Sequence, residues 1–554
     1  MRFASVSMFM DFGEWGFRMG RPVANEGFLR ALLTHGSYDT YEFFCPDIYH
    51  MERFSQNVDQ MIEDPALRAR VKVTLQLALA ESVAGTHYDV FHLGDFTSLM
   101  PYLLGVRNRY SEPPFPVTGV THSLDGVFMN LRYLELLLQG MAPFDAIICT
   151  SRSAQDAVSK GFSWIKEEME RRWNVSFTAD PQLIHIPLGI DDDFFEHTDK
   201  NAAKNFFRIP AEKVVALSVG RLSARLKTDW TPVLGLLARM VASNNFDNFL
   251  FIIAGGGDDS DIRLLQEVIA QFGLQEKVLV FANFLPEVKS TLYQAADFYL
   301  SPVDNFQETF GLNILEAMAS GLPIIASDFS GYRELVSQEV NGFLLKTVWP
   351  KNLPECVLGN LGILHESMAR LYFSQALAVD LGELEQALTT LYRDHVLRLE
   401  MGAASLEQAQ AYRWPHIIRC YEEAWAELAA TSRKIVPFAS RKDPDLLLGN
   451  PTYTLSHYPS KTLEDSDLVF LTPFGLAVLD ENIEIMKYAD AAVSMFPELH
   501  SLILEELGSG SEPVSHIKEA AQRRLEATEA QTEYHLLWLM KQGAVSLKEN
   551  GATQ

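Results

Sequence analysis

The sequence predicts an α/β protein of two tandem doubly wound, Rossmann-like domains facing a cleft, followed by a mainly helical C-terminal extension. Three observations predict it: short β-rich runs alternate with helical stretches from the start, the alternation restarts after residue 212, and the composition changes near residue 436. Such alternation marks a parallel sheet flanked by helices. At about 100 to 200 residues per domain, 554 residues exceed one ordinary core. The expected domains are residues 1–205, 206–435 and 436–554.

The first alternation runs through RFASVSM at 2–8, YEFFC at 41–45, DVFHL at 89–93, PVTGVT at 116–121, DAIICT at 145–150 and LIHIP at 183–187. A hinge is expected near residues 190–212. The second runs through VVALSV at 214–219, FLFIIA at 249–254, KVLVF at 277–281, DFYL at 297–300, LPIIA at 322–326 and GFLL at 342–345. Residues 360–430 read as helical, and the extension opens with SRKDPDLLLGNP at 440–451. Its later part, 516–548, has helix periodicity and carries LLWLMK at 536–541, an apolar cluster that predicts packing on the protein's own body or a self-association or partner surface, so a homo-oligomer is one expectation. Ligands of doubly wound sheets sit beyond the carboxyl ends of the strands, so the site is expected between the two sheets.

The 47% hydrophobic content is that of a globular protein. No apolar run approaches the roughly 18 residues of a membrane span, and the start lacks the basic region and cleavage site of a signal peptide. A soluble, cytoplasmic protein is expected. Cys45, Cys149, Cys356 and Cys420 lie far apart with no CxxC or Cys/His cluster, which predicts reduced thiols rather than disulfides or structural zinc. With 72 acidic against 46 basic residues the formal charge is −26, a field that repels nucleic acid and anionic membrane. Any phosphate must therefore be held by a local pocket.

The strongest motif is ETFGLNILEAMASGLP at 308–323. Leu312, Leu315 and Ala319 repeat at helical spacing from Gly311, and Gly321 with Pro323 stops the helix. The free amides around Phe310, Gly311 and Leu312 then sit at the positive end of a helix dipole, a site for phosphate. Glu316, one turn in, can reach vicinal hydroxyls such as those of a ribose, and Glu308, in the preceding loop, a second polyol. The bland alternative is two glutamates on a solvated helix. A second motif, VGRLSARLKTD at 219–229, places Arg221 and Lys227 in a loop after a strand. A fork and a point charge there suit a diphosphate leaving group, whose charge grows as its bond to a sugar breaks. A solvated basic loop is the alternative.

Residues 308–323 closely resemble the Glu-x7-Glu motif of family 4 glycosyltransferases, retaining enzymes with two facing Rossmann-like domains, the GT-B fold. The likeness spans roughly residues 1–428, because LIHIPLGIDDDFF at 183–195 resembles the family's interdomain Pro-x-Gly-x-Asp segment and YRWPHI at 412–417 its closing helix. The resemblance assigns Glu308 to the donor sugar, Glu316 to the ribose, the amides of Gly311 and Leu312 beside Phe310 to the diphosphate, and Arg221 and Lys227 to a diphosphate clamp, with Arg225 the alternative to Lys227. GFRMGRP at 16–22 occupies the position of the family's glycine loop but lacks its paired glycines, so only Gly20 is carried over. His122, in THS at 121–123, is placed beside the reacting sugar, and His92 and Asp95 end another strand that could face the acceptor.

The expected catalytic set is thus His122, Glu308, Arg221 and Lys227, and the expected donor set Gly20, Phe310, Gly311, Leu312 and Glu316. The resemblance implies transfer of a hexose-type sugar from a nucleotide diphosphate sugar with retention. No cofactor or metal is expected, because two cations and the helix amides supply positive charge; GGGDDSD at 255–261 reads as a turn into a helix rather than a phosphate loop or metal site. The acceptor is open among glycan, lipid-linked saccharide, small molecule and protein. Competing readings are a nucleotide-sugar sensor with a partner-binding C-terminal module and a GT-B epimerase.

Overall fold

In the computed structural model, residues 1–10, 20–177, 180–196, 199–243, 246–435, 446–481 and 483–548 are described. Most of the GFRMGRP loop (16–19) and the start of the C-terminal extension (436–445) therefore lie outside the described residues. The chain divides into two compact units, Met1–Cys45 with Met51–Asp443, and Pro46–His50 with Pro444–Gln554.

The first unit holds both large sheets. Strands β1 (Arg2–Ser5), β2 (Thr40–Cys45), β3 (Val71–Leu75), β4 (Val90–Leu93), β5 (Val117–Val120), β6 (Ala146–Cys149) and β7 (Gln182–His185) form a seven-stranded sheet in the order β3-β2-β1-β4-β5-β6-β7. Strands β8 (Val214–Val219), β9 (Phe249–Gly255), β10 (Val278–Ala282), β11 (Phe298–Ser301), β12 (Ile324–Ser327) and β13 (Gly342–Leu345) form a six-stranded sheet in the order β10-β9-β8-β11-β12-β13. Every pairing in both is parallel, as between Phe3 and Val90 or Tyr299 and Leu217. These are the tandem doubly wound domains that the alternation predicts, with one strand, β3, that it misses. Strand β3 is an edge whose VKVTL pattern leaves every residue at least partly exposed, so no buried apolar run announces it.

Strand order reverses at β1/β4 in the first sheet and at β8/β11 in the second, which opens a crevice at each carboxyl edge. The loops after β8 and β11 carry the two sequence motifs. Each domain has its own core: Val215, Leu217, Leu315 and Met318 pack beneath β8 and β11, and Phe3, Phe28, Phe43 and Trp425 beneath β1. Trp425 comes from the long helix Trp414–Ser432, which returns to the first domain with Ile417, Ile418 and Tyr421 on its buried face. Gly189 permits that return: a Cβ there would strike the Trp414 ring, whose Nε1 donates to Asp191 Oδ1 at 2.8 Å.

In the second unit, helices Pro497–Leu507, Val514–Leu525 and Glu529–Lys541 bury Leu499, Ile503, Ile517 and Leu536 against one another. A three-stranded antiparallel sheet of Leu468–Leu471, Glu512–Pro513 and Val545–Leu547 joins them, an element that the helix periodicity does not foretell. Of the apolar cluster at 536–541, Leu536 and Leu539 are buried in this unit's own core while Leu537 is exposed. No helix among the described residues is long and apolar enough to cross a membrane.

Candidate active site in the cleft between the two sheets

The turn after β8 lifts Arg221 and Lys227 to the sheet's carboxyl edge, and the loop after β11 delivers Asn305, Gln307 and Glu308. The two loops are stitched together: Asn305 Nδ2 donates to the Arg225 carbonyl at 3.0 Å, and Arg221 Nη1 to Gln307 Oε1 at 2.8 Å. Asn313 Nδ2 donates to the Val219 carbonyl at 2.6 Å and so fixes the helix Leu312–Ala319 to the end of β8. Gly311 caps that helix with φ 111°, a left-handed conformation that favours glycine, and a Cβ would come within 2.7 Å of the Tyr332 ring. First-turn amides have no partner within their own helix, so those of Gly311 and Leu312 are free to meet an anion.

These loops border a cleft of about 650 Å³ whose other wall belongs to the first domain. Gly20, His122, Arg221, Lys227, Glu308, Phe310, Gly311 and Leu312 all line it. Gly20, at φ 70°, caps the helix Arg21–His35 opposite Arg221. Arg225, the alternative to Lys227, is exposed and outside this lining.

Lys227 Nζ pairs with Glu308 Oε2, and Tyr332 Oη donates to the same oxygen at 3.3 Å. Burial pushes the Glu308 carboxyl up, but the Lys227 cation, the Phe310 amide and Tyr332 outweigh it and hold it below the usual range. Glu308 is therefore an anion. Burial, and then the nearby Arg370 guanidinium, lower Arg221 from its ordinary value, yet an arginine so placed remains charged.

On the opposite wall, His122 Nε2 lies 2.8 Å from the Gly94 carbonyl and 3.1 Å from Asn25 Oδ1. Two acceptors require that nitrogen to carry the proton, which leaves Nδ1 as the acceptor of the neutral ring. Burial lowers the ring's pKa to about 4, so it is neutral at physiological pH. Asp95 lines the same wall, bonded to Arg21 at 2.9 Å. His92 does not: it is buried under Phe9, Phe28 and Trp425, with Nδ1 2.9 Å from Thr118 Oγ1. The expectation that it faces an acceptor is corrected, because the pleat of β4 turns it into the core.

Glu316 takes a different position from Glu308. It is buried, with Oε1 2.5 Å from Lys289 Nζ and Oε2 accepting from Tyr293 Oη at 2.7 Å. It lines an adjoining cavity of about 400 Å³ that shares Ala24 and Leu312 with the main cleft. The helix start at Leu312 thus separates a compartment holding Glu308 from one holding Glu316. The GGGDDSD stretch is a helix start, where Asp258 Oδ1 accepts from the amides of Ser260 and Asp261.

Sequence reasoning misses Tyr332, Gln307, Arg370 and Glu366, all of which reach this site or its partners. Tyr332 opens the short helix Tyr332–Leu335 after β12 with no motif of its own, and Arg370 lies 62 residues beyond Glu308 in a segment that reads only as helical.

A fold of two facing parallel sheets with loops of this kind defines the GT-B glycosyltransferases. Comparison with known proteins agrees. Residues 199–357 match the family described as glycosyl transferases group 1. A D-inositol 3-phosphate glycosyltransferase of Geodermatophilus obscurus is 26% identical over 275 residues, 47% of this chain and 52% of that protein. An uncharacterized glycosyltransferase of Methanocaldococcus jannaschii is 33% identical over 275 residues, 48% of this chain and 63% of that protein. The chain thus spans a little over half the length of these two relatives. Sucrose-phosphate synthase from Thermosynechococcus elongatus superposes over 78% of this chain and 99% of its own, with TM-score 0.50 and 19% identity. Anabaena HepE in complex with UDP superposes over 77% and 99%, with TM-score 0.52 and 16% identity. The likeness to glycosyl transferases group 1 is thus carried by residues 199–357.

Proposed function

We propose that this protein is a retaining hexosyltransferase that moves a sugar from a nucleoside diphosphate to an acceptor read by the first domain. The observation that carries the reading is the convergence of Arg221, Lys227, Glu308 and the start of the Leu312–Ala319 helix on one cleft wall, opposite His122. The diphosphate would lie on the helix amides of Gly311 and Leu312 between Arg221 and Lys227, with Gly20 leaving room for it. Its sugar would reach Glu308, and its ribose would reach Glu316 in the adjoining cavity. Arriving phosphate draws Lys227 from Glu308, which frees that carboxylate for sugar hydroxyls.

The step we propose is a front-face displacement. The bond from the anomeric carbon to the diphosphate oxygen breaks, the acceptor oxygen bonds to the same carbon from the same face, and the acceptor proton passes to the departing diphosphate. Arg221 and Lys227 stabilise the charge that grows on the leaving group, so no metal is needed for that task. Neutral His122 offers a hydrogen-bonding nitrogen on the opposite wall rather than a second cation. The relatives support the reading by their own names, an inositol phosphate glycosyltransferase among them, and the fold neighbour HepE is a complex with UDP.

The test is incubation with a panel of nucleoside diphosphate sugars, with and without cell extract, in EDTA. Acceptor-dependent release of nucleoside diphosphate in EDTA is expected. Binding without release would favour a sensor, an altered sugar would favour an epimerase, and activity restored only by Mg²⁺ or Mn²⁺ would contradict metal independence.

A further inference from the structure

Between the short paired strands Thr347–Val348 and Ala378–Val379, the chain loops out over residues 349–377. This segment lies almost wholly on the donor-side domain. Trp349 packs on Phe306 at 4.5 Å between ring centroids, and Phe373 on Phe306 at 6.2 Å. Phe306 stands two residues before Glu308, so the segment rests on the donor loop itself. Gln375 Nε2 adds a bond to Asp229 Oδ2 at 3.2 Å, at the end of the loop that carries Lys227.

From that base the helix Glu366–Ser374 sends Arg370 across the cleft. Its Nε donates to Asp125 Oδ2 at 2.6 Å and its Nη2 to Asp125 Oδ1 at 3.2 Å, a two-pronged pair with both side chains largely buried. Asp125 lies three residues beyond His122 in the same loop, residues 121–128. That loop is thus held at two points, by Gly94 and Asn25 at His122 and by Arg370 at Asp125. Close approach continues at Gly126, where a Cβ would come within 3.0 Å of Glu366 Oε1. Burial of an ion pair in this geometry stabilises only when both partners are present: Arg370 Nη2 also lies 3.5 Å from Glu366 Oε2, but Asp125, 2% exposed, would be left a buried charge without Arg370. Arg370 lies beyond residues 199–357, the stretch that matches the family.

We propose that Arg370 is a positioning residue: the strap 349–377 ties the Glu308 loop to the acceptor-side loop 122–126, and the Arg370–Asp125 fork sets His122 and Ser123 over the sugar end of the cleft. Arg370 acts through Asp125 rather than on the reacting atoms. The inference rests on the transferase reading for its consequence in turnover, but the fork itself is testable without any ligand.

The experiment uses the full chain and the variants R370A, R370K and D125N. In ligand-free hydrogen exchange, R370A and D125N are expected to speed exchange across residues 121–129 by about tenfold while β4, β5 and β8 stay protected. With UDP-glucose as probe and water or extract as acceptor, the same variants should lower turnover about tenfold and leave UDP affinity within about threefold, and the double variant should be no worse than either single one. R370K, which keeps the charge but loses the fork, should fall with R370A. Unchanged exchange at 121–129 overturns the proposal, as does faster exchange spread through the core strands. A loss of UDP affinity as large as the loss of turnover also overturns it, by making Arg370 a donor ligand. If the wild-type chain binds no nucleotide sugar, the transferase reading fails and the exchange result still decides the fork.

Discussion

The two walls of the cleft are built on opposite plans. On the donor side, Arg221, Lys227, Glu308 and Gly311 come from two loops, each at the carboxyl end of a neighbouring strand, β8 and β11; Lys227 pairs directly with Glu308, and Arg221 bonds Gln307 of the same loop as Glu308. On the acceptor side, Gly20, Asp95, His122 and Asp125 come from separated segments, and their charges are answered from elsewhere: Asp95 by Arg21, Asp125 by Arg370 of the other domain. The donor wall pairs Lys227 with Glu308 inside one domain, with Ser151 Oγ of the first domain donating to the neighbouring Thr309 carbonyl at 2.6 Å, whereas on the acceptor wall Asp125 takes its counter-ion from the other domain. On the proposed reading, donor chemistry is preorganised in one domain, while acceptor alignment depends on the Arg370–Asp125 contact between the two domains.

The sharpest way to break this comparison is at Glu308. Glu308→Ala should lower turnover about 100-fold or more with nucleoside diphosphate affinity little changed, because sugar contacts align the reacting carbon. Since Lys227 loses its buried counter-ion in that variant, Lys227→Ala combined with it should cost less than the two single losses added together, as steady-state kinetics of the three variants will show. Additive losses would mean the donor wall is not one unit. Glu316→Ala should instead raise the dissociation constant for UDP about tenfold, with turnover of bound donor nearly unchanged, since ribose contacts are equal in ground and transition states.

How much was legible in the sequence follows the same division. Glu308, Gly311 and Glu316 fall within nine residues, and Arg221 and Lys227 within seven, so spacing alone brings each group to one strand end. Most strands were legible for a related reason, since buried parallel strands are apolar runs, while the partly exposed edge strand β3 was not. Arg370 and Tyr332 were not legible, because only the tertiary fold brings them near Glu308 and Asp125. The position of His92 was lost to a single residue of strand phase. Glu316 was read correctly as one turn inside the helix, but its separation from Glu308 into an adjoining cavity depends on Lys289 and Tyr293, which carry no motif.

The smallest expected effect concerns pH, and the two walls respond with opposite signs. Asp304, below the donor loop, is pushed up to about 7 by burial, so the fold holds a proton there that the unfolded chain releases near pH 4. Stability from this group is present below about pH 4 and is lost as pH rises toward 7. His122, lowered to about 4 by burial, works in reverse: its contribution is present above about pH 6.5 and is lost as pH falls toward 4. Thermal melting from pH 4 to pH 8 should therefore show a shallower loss at high pH in Asp304→Asn and a shallower loss at low pH in His122→Asn. Identical slopes in both variants and the wild type would remove the titration argument from both walls.

The most direct test of the donor wall is a calorimetric titration of UDP into the wild-type protein and Arg221→Ala, at a pH where both melt alike. The account predicts saturable binding to the wild type, weakened about tenfold or more in Arg221→Ala, as expected for loss of a forked contact to phosphate. Equal affinity in the two proteins, or no binding of any nucleoside diphosphate to the wild type, would contradict it.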